Sequence, residues 1–99
     1  MAFCYTFEWD PDKARANEEK HGIAFEQAAL VFRDPLALSI YDEEHSSTDE
    51  DRWVTLGQSE AALLVVVHTF REAGAEEAVV RIISARTASR RERRQYEER

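Results

Sequence analysis

Residues 62–70, ALLVVVHTF, are apolar almost without a break, and 78–86, AVVRIISAR, follow after a polar gap. A short apolar run bounded by polar residues reads as a strand buried on both faces. With 99 residues the chain has room for one core, so the remaining segments have to pack against this pair.

They have the patterns to do so. FCYTFEW at 3–9 is rich in aromatics and reads as a strand. Asp10-Pro11 then starts a helix, with Asp10 as cap and Pro11 at the first position, where a missing N–H costs nothing. That helix is expected to stop at Gly22, with Lys20 and His21 at the negative end of its dipole. Phe25, Ala28, Ala29 and Phe32 share one face of a second helix, which Asp34-Pro35 ends. Strands are expected at 36–41 and 52–58, separated by DEEHSSTDED at 42–51, which has no large apolar side chain and reads as a dispensable solvated loop. A loose loop around Gly74 is expected between the two apolar strands.

A final helix begins at Ser89, which has capping-box spacing to Glu92. Arg93–Glu97 and Arg94–Glu98 stand at i,i+4, pairs each worth about 0.2–0.5 kcal/mol. The expected class is a single α+β domain over 1–99, ordered β-α-α-β-β-β-β-α. Its sheet is expected to be antiparallel, with the helices on one face.

Net charge is −7, which argues against indiscriminate nucleic-acid binding. Residues 86–99, however, hold six Arg against three Glu, a local +3, so the rest of the chain carries −10. Cys4 is the only cysteine, which excludes an intrachain disulfide and a cysteine-based zinc site. The N-terminus lacks the basic-then-apolar pattern of a secretory signal, and no apolar run reaches membrane-spanning length. A cytoplasmic protein is expected. The histidines 21, 45 and 68 are too scattered for a metal site, and Asp49, Glu50 and Asp51 read as part of a solvated loop. No cofactor is expected.

The remaining chemistry rests on arginine and imidazole. In a regular strand Arg81 and Arg86 point to opposite faces, as do His68 and Arg71, which could pair only across a bulge. Arg81 in mid-strand requires a carboxylate or a cleft. Arginine forks and an imidazole suit RNA cleavage by the substrate's own 2′-hydroxyl, which needs a base, an acid and cations on the phosphorane. The same residues also fit a bland account: His21 ending a helix, Arg81 in a salt bridge, and Tyr96 packing the last helix.

Three segments, 7–32, 63–72 and 81–98, resemble the BrnT family of type II toxins. The opening W-D-x-x-K-x-x-x-N-x-x-K-H-G is here Trp9, Asp10, Lys13, Asn17, Lys20, His21 and Gly22. R-I-I-S-A-R at 81–86 is followed by Arg90, Arg91, Arg93, Arg94, Tyr96 and Glu97. The resemblance implies a RelE-like fold and a toxin that cleaves RNA and blocks translation. It also implies neutralisation by a BrnA-like antitoxin of the ribbon-helix-helix type, with operator DNA bound only through that antitoxin. On this reading the catalytic candidates are His21, Lys20, Arg71, Arg86 and Arg81, with His68 as an outside candidate. The RNA-binding candidates are Arg90, Arg91, Arg94 and Tyr96. The competing reading is a non-enzymatic module that complexes a DNA-binding partner and regulates transcription.

Overall fold

The structure is a computed structural model that describes residues 4–47 and 50–98. Asp49 and Arg99 therefore lie outside the described residues. The chain runs β1 (Cys4–Glu8), α1 (Pro11–His21), α2 (Phe25–Ala29), a 3-10 turn (Leu30–Arg33), β2 (Leu38–Tyr41), β3 (Arg52–Gln58), β4 (Leu63–Gly74), β5 (Glu77–Thr87) and α3 (Arg90–Glu97). The strands form one sheet in the order β1-β5-β4-β3-β2.

Strands β2 to β5 make an antiparallel meander, whereas β1 joins β5 in parallel. The sheet is thus mixed, not wholly antiparallel as expected. Hairpin links force neighbouring strands to alternate in direction, but β1 leaves through two helices, and a long connection places no such limit on its pairing. The gap between the apolar strands is also tighter than expected. Pairing continues out to Gly74 and Glu77, so only Ala75 and Glu76 turn the chain.

Because β4 is apolar on both faces, each face has its own cover. On one, Phe25, Ala28 and Val31 of the helical layer pack against Leu64, Val66, Val80, Ile82 and Ala85. On the other, Leu56, Leu63 and Val65 gather Leu38, Val54, Ala88 and Tyr96. The last helix therefore lies opposite the first two, and the expectation of helices on a single face does not hold. Burying both sides of β4 removes more apolar surface from water than stacking all helices on one side.

The helical layer lies close against the sheet at Gly57. A Cβ built there would stand 3.0 Å from Val31 Cβ and 3.1 Å from Ala37 Cβ. Gly57→Ala is expected to cost about 1–3 kcal/mol by overpacking. Calorimetry should show the melting temperature falling by about 4–8 °C per kcal/mol. An unchanged melting temperature would mean that the 3-10 turn shifts freely.

The acidic segment after β2 is more built than a solvated loop. Asp42 N–H donates to Arg52 O at 2.8 Å. Ser46 Oγ donates to Asp42 O at 2.6 Å and accepts from Arg52 N–H at 2.9 Å. These bonds close the β2–β3 connection without any apolar side chain.

Candidate basic surface at the open edge of the sheet

Helix α1 is bounded at both ends by its own residues. Asp10 accepts from Asp12 N–H at 2.8 Å, and Gly22 takes φ 70°, a left-handed value that glycine adopts without strain, and donates to Glu18 O. Lys13, Asn17, Lys20 and His21 are spaced i, i+4, i+7 and i+8, so they share one helix face. Asn17 is buried at its centre.

Asn17 resolves a problem created by the sheet. Strand β1 pairs with β5 only as far as Glu8 opposite Arg81. Beyond that point no strand among the described residues lies beside the edge of β5. The Asn17 amide takes over: Nδ2 donates to Ala85 O at 2.9 Å, and Oδ1 accepts from Ala85 N–H at 3.0 Å. The second Nδ2 hydrogen goes to Ile23 O at 2.9 Å. One side chain thus ties α1 and the loop after it to the last turn of β5.

The same stretch of β5 contains a bulge. Val67 pairs with Ser84 and His68 with Ile82, which leaves Ile83 as the extra residue. A bulge resets the alternation of faces. Ala85 therefore turns into the core, and Arg81, Ser84 and Arg86 come to one face, where regular alternation had separated Arg81 from Arg86. Strand β4 itself pairs without an extra residue at His68, so His68 and Arg71 stay on opposite faces.

Lys13, Ala16, Asn17, Lys20, His21, Ile83 and Ser84 line a cleft of about 230 Å³. Lys13, Lys20 and His21 are exposed. Lys13 and Ser84 escaped the choice of site residues from sequence. The helical spacing of Lys13 was available there, but the bulge that moves Ser84 off the face of Val80 and Ile82, to the rim of this cleft, left no sequence signal.

Arg86 lies on the same face as Ser84 and forms a two-point contact with Glu92, with Nη1–Oε1 and Nη2–Oε2 both at 2.8 Å. Glu92 Oε1 also accepts from Ser89 N–H at 2.8 Å, completing the capping box of α3. The Arg86 hydrogen bonds are the main reason that Glu92 titrates at about 2 instead of the ordinary 4.5. A depressed carboxyl pKa stabilises the fold above the unfolded value, and the contribution is lost as pH falls through the folded one. The attachment of α3 is therefore expected to weaken between about pH 4.5 and pH 2. Amide exchange in α3 should accelerate across that window in the wild type and be insensitive to it in Glu92→Gln.

Arg90 and Arg91 occupy the first two positions of α3 after the Ser89 cap, and both are exposed. Arg93 and Arg94 are exposed as well, and among the described residues neither expected pair, Arg93–Glu97 or Arg94–Glu98, is formed. The small net gain of such surface pairs is too weak to hold two long side chains in one geometry. The Arg90 and Arg91 guanidinium groups stand in water at the helix end whose dipole favours an anion. Tyr96 is half-buried against Leu56, Leu63 and Val65, and its hydroxyl donates to Asp34 Oδ2 at 2.5 Å.

Arg71 and Arg81 belong to a different cleft, of about 490 Å³, which they share with Thr69, Phe70, Glu8, Glu50, Asp51 and Glu72. Arg81 Nη1 lies 3.6 Å from Glu8 Oε1. Two guanidinium groups face four carboxylates, so this cleft opposes a phosphate and suits a cationic ligand. The five catalytic candidates are thus divided: Lys20 and His21 on α1 near Ser84, Arg86 bound to Glu92 on the opposite face of the sheet, and Arg71 and Arg81 apart.

His68 is buried, and burial lowers its pKa, so it is neutral at pH 7. Its Nδ1 stands 3.1 Å from Thr69 O and its Nε2 2.7 Å from Thr55 Oγ1. Among the described residues no helix is long and apolar enough to cross a membrane.

No curated protein matches this sequence. Residues 9–92 match the family described as the ribonuclease toxin, BrnT, of type II toxin–antitoxin systems. That span takes in α1 with its basic face, the bulged β5 and the start of α3, including Arg90 and Arg91. The chain belongs to the BrnT family of type II ribonuclease toxins.

Proposed function

We propose that the chain cleaves RNA without a metal ion at the Lys13–Lys20–His21–Ser84 cleft and that this cleavage blocks translation in the cytoplasm. The observation that carries this reading is the grouping of two ammonium groups and an imidazole beside the bulge of β5, at the open edge of the sheet, with Arg86 and the arginines of α3 around that edge on the opposite face. His21 takes the proton of the 2′-hydroxyl, and the 2′-oxygen attacks phosphorus. The bond to the 5′-oxygen breaks, leaving a 2′,3′-cyclic phosphate and a protonated 5′-hydroxyl. Lys13 and Lys20 offset the charge gathering on the phosphorane, and Lys20 supplies the leaving-group proton. Arg90, Arg91 and Arg94 track the neighbouring phosphates.

The neutralising partner on this reading is a BrnA-like ribbon-helix-helix antitoxin, through which the pair reaches operator DNA. The acidic cleft at Arg71 and Arg81 and the net −7 of the chain suit a basic partner. Those two features also favour the second reading, a binding module without catalysis. The sheet with a helical layer on one face and a short C-terminal helix on the other is compatible with a RelE-like toxin.

Induction of the chain alone in a bacterium decides between them. Growth arrest with loss of full-length messenger RNA, relieved by co-expressing the adjacent gene, is the expected result. Purified protein should cleave RNA equally well in excess EDTA. Harmless accumulation of folded protein that leaves RNA intact would replace the ribonuclease by the binding module.

A further inference from the structure

The helix-bearing face of the sheet is not fully covered by its helices. At the end remote from α1, Tyr5, Phe32, Trp53 and Phe70 surround an opening of about 230 Å³ with Ser39 and His68 on its walls. Strand register places Tyr5, Ser39, Trp53, His68 and Phe70 on one face. Phe32 reaches over them from the 3-10 turn, with its ring centroid 5.9 Å from Tyr5 and 4.8 Å from His68. Phe70 also lines the Arg71–Arg81 cleft, so the two openings adjoin.

One polar chain runs into this aromatic box, and its hydrogens can be assigned. His68 is neutral, and Nδ1 lies against a carbonyl, which only accepts, so Nδ1 carries the proton. Nε2 is then an acceptor, and the 2.7 Å contact requires Thr55 to donate to it. Thr55 has no second hydrogen for Ser39, so across their 2.8 Å contact Ser39 donates. The Ser39 hydroxyl hydrogen is thereby committed inward, which leaves its oxygen, on the wall of the opening, as an acceptor. An aromatic box with one fixed acceptor at its rim accommodates a flat ring carrying an N–H on its edge.

We propose that this box holds a single unstacked nucleobase, bound by its faces to Tyr5 and its neighbours and by an edge N–H to Ser39 Oγ. The ligand's source as RNA rests on the ribonuclease reading, whereas the box itself is separate from the His21 cleft. Base stacking on aromatic rings tolerates sequence, and an acceptor at the rim adds a preference for bases with a suitably placed N–H.

Nucleoside 5′-monophosphates, which cannot be cleaved, test the box without reference to catalysis. Titration followed by NMR should move the Trp53 indole, Phe70 and His68 ring signals. Tyr5→Ala should weaken binding about tenfold, and Tyr5→Phe should restore it. Ser39→Ala should weaken adenosine monophosphate about fivefold and leave purine riboside monophosphate, which lacks the amine, unchanged. Tyr5 and Ser39 are exposed, so both variants are expected to fold, and their amide spectra verify this. The proposal is overturned if no nucleotide moves the Trp53 ring, if folded Tyr5→Ala binds like the wild type, or if the box variants lose only antitoxin binding. Ribonuclease failure would register separately, as intact RNA in the cleavage assay.

Discussion

Asn17→Ala lowers the melting temperature of this domain by about 10–20 °C. The substitution strands the N–H and C=O of Ala85 and the C=O of Ile23, all of which the Asn17 amide now satisfies. A buried polar group left unmade costs about 1–3 kcal/mol, and alanine brings nothing to fill the gap. A loss of about 2–4 kcal/mol in a domain of this size moves the transition by that range. The damage is local before it is global. The Ala85 amide should exchange with solvent far faster than that of Val66 in the adjacent strand, because among the described residues that stretch of β5 has no strand on that side. Asn17→Asp separates hydrogen bonding from packing. It keeps an acceptor for Ala85 N–H but sets a carboxylate against two carbonyls, so it too should be destabilised near neutrality. A melting temperature within 2–3 °C of the wild type in Asn17→Ala, with slow exchange at Ala85, would show that the edge is closed by something other than this side chain.

His21→Ala is expected to reduce the single-turnover rate of RNA cleavage by about 10²–10⁴, the usual contribution of a positioned acid or base. Stability should barely move. His21 is exposed at the C-terminal turn of α1, where a favourable dipole contact is worth at most about 1 kcal/mol. This divergence separates the catalytic role from a merely structural one, which would shift the melting temperature and spare the rate. Lys20→Ala should also slow cleavage while leaving the fold intact. If folded His21→Ala cleaves at the wild-type rate, the proton acceptor lies elsewhere and the Lys13–Lys20–Ser84 cleft only binds. Arg86 is a poor substitute probe. Its loss would release Glu92 from its two-point contact and disturb α3, mixing attachment with chemistry.

Much of the fold was legible in individual residues. Asp10-Pro11 and Gly22 bounded α1, and Ser89 with Glu92 announced the capping box of α3. These signals act within one turn of chain, so no tertiary knowledge is needed to read them. The alternation in β4 likewise placed Leu64, Val66 and His68 on one face and Leu63 and Val65 on the other. The site was legible only in part. Lys20 and His21 were named from α1, but Ser84 was not. Arg71 and Arg81 looked like phosphate ligands until the structure set Glu8, Glu50, Asp51 and Glu72 around them. Those carboxylates come from three separate places in the chain, and sequence distance says nothing about their convergence.

What the sequence determined by itself was local: where helices begin and end, which strands are apolar on both faces, and that the toxin motif spans most of the chain. Hydrogen bonding within a turn and the two-residue period of a strand need only neighbouring residues. The tertiary structure alone decided that β1 lies parallel to β5, that α3 takes the face opposite α1, and that the bulge at Ile83 brings Arg81, Ser84 and Arg86 to one side. Each of these depends on which distant backbone groups find partners. Beyond Glu8 no strand among the described residues pairs with the edge of β5, and the chain meets that requirement with the side chain of Asn17, 68 residues away.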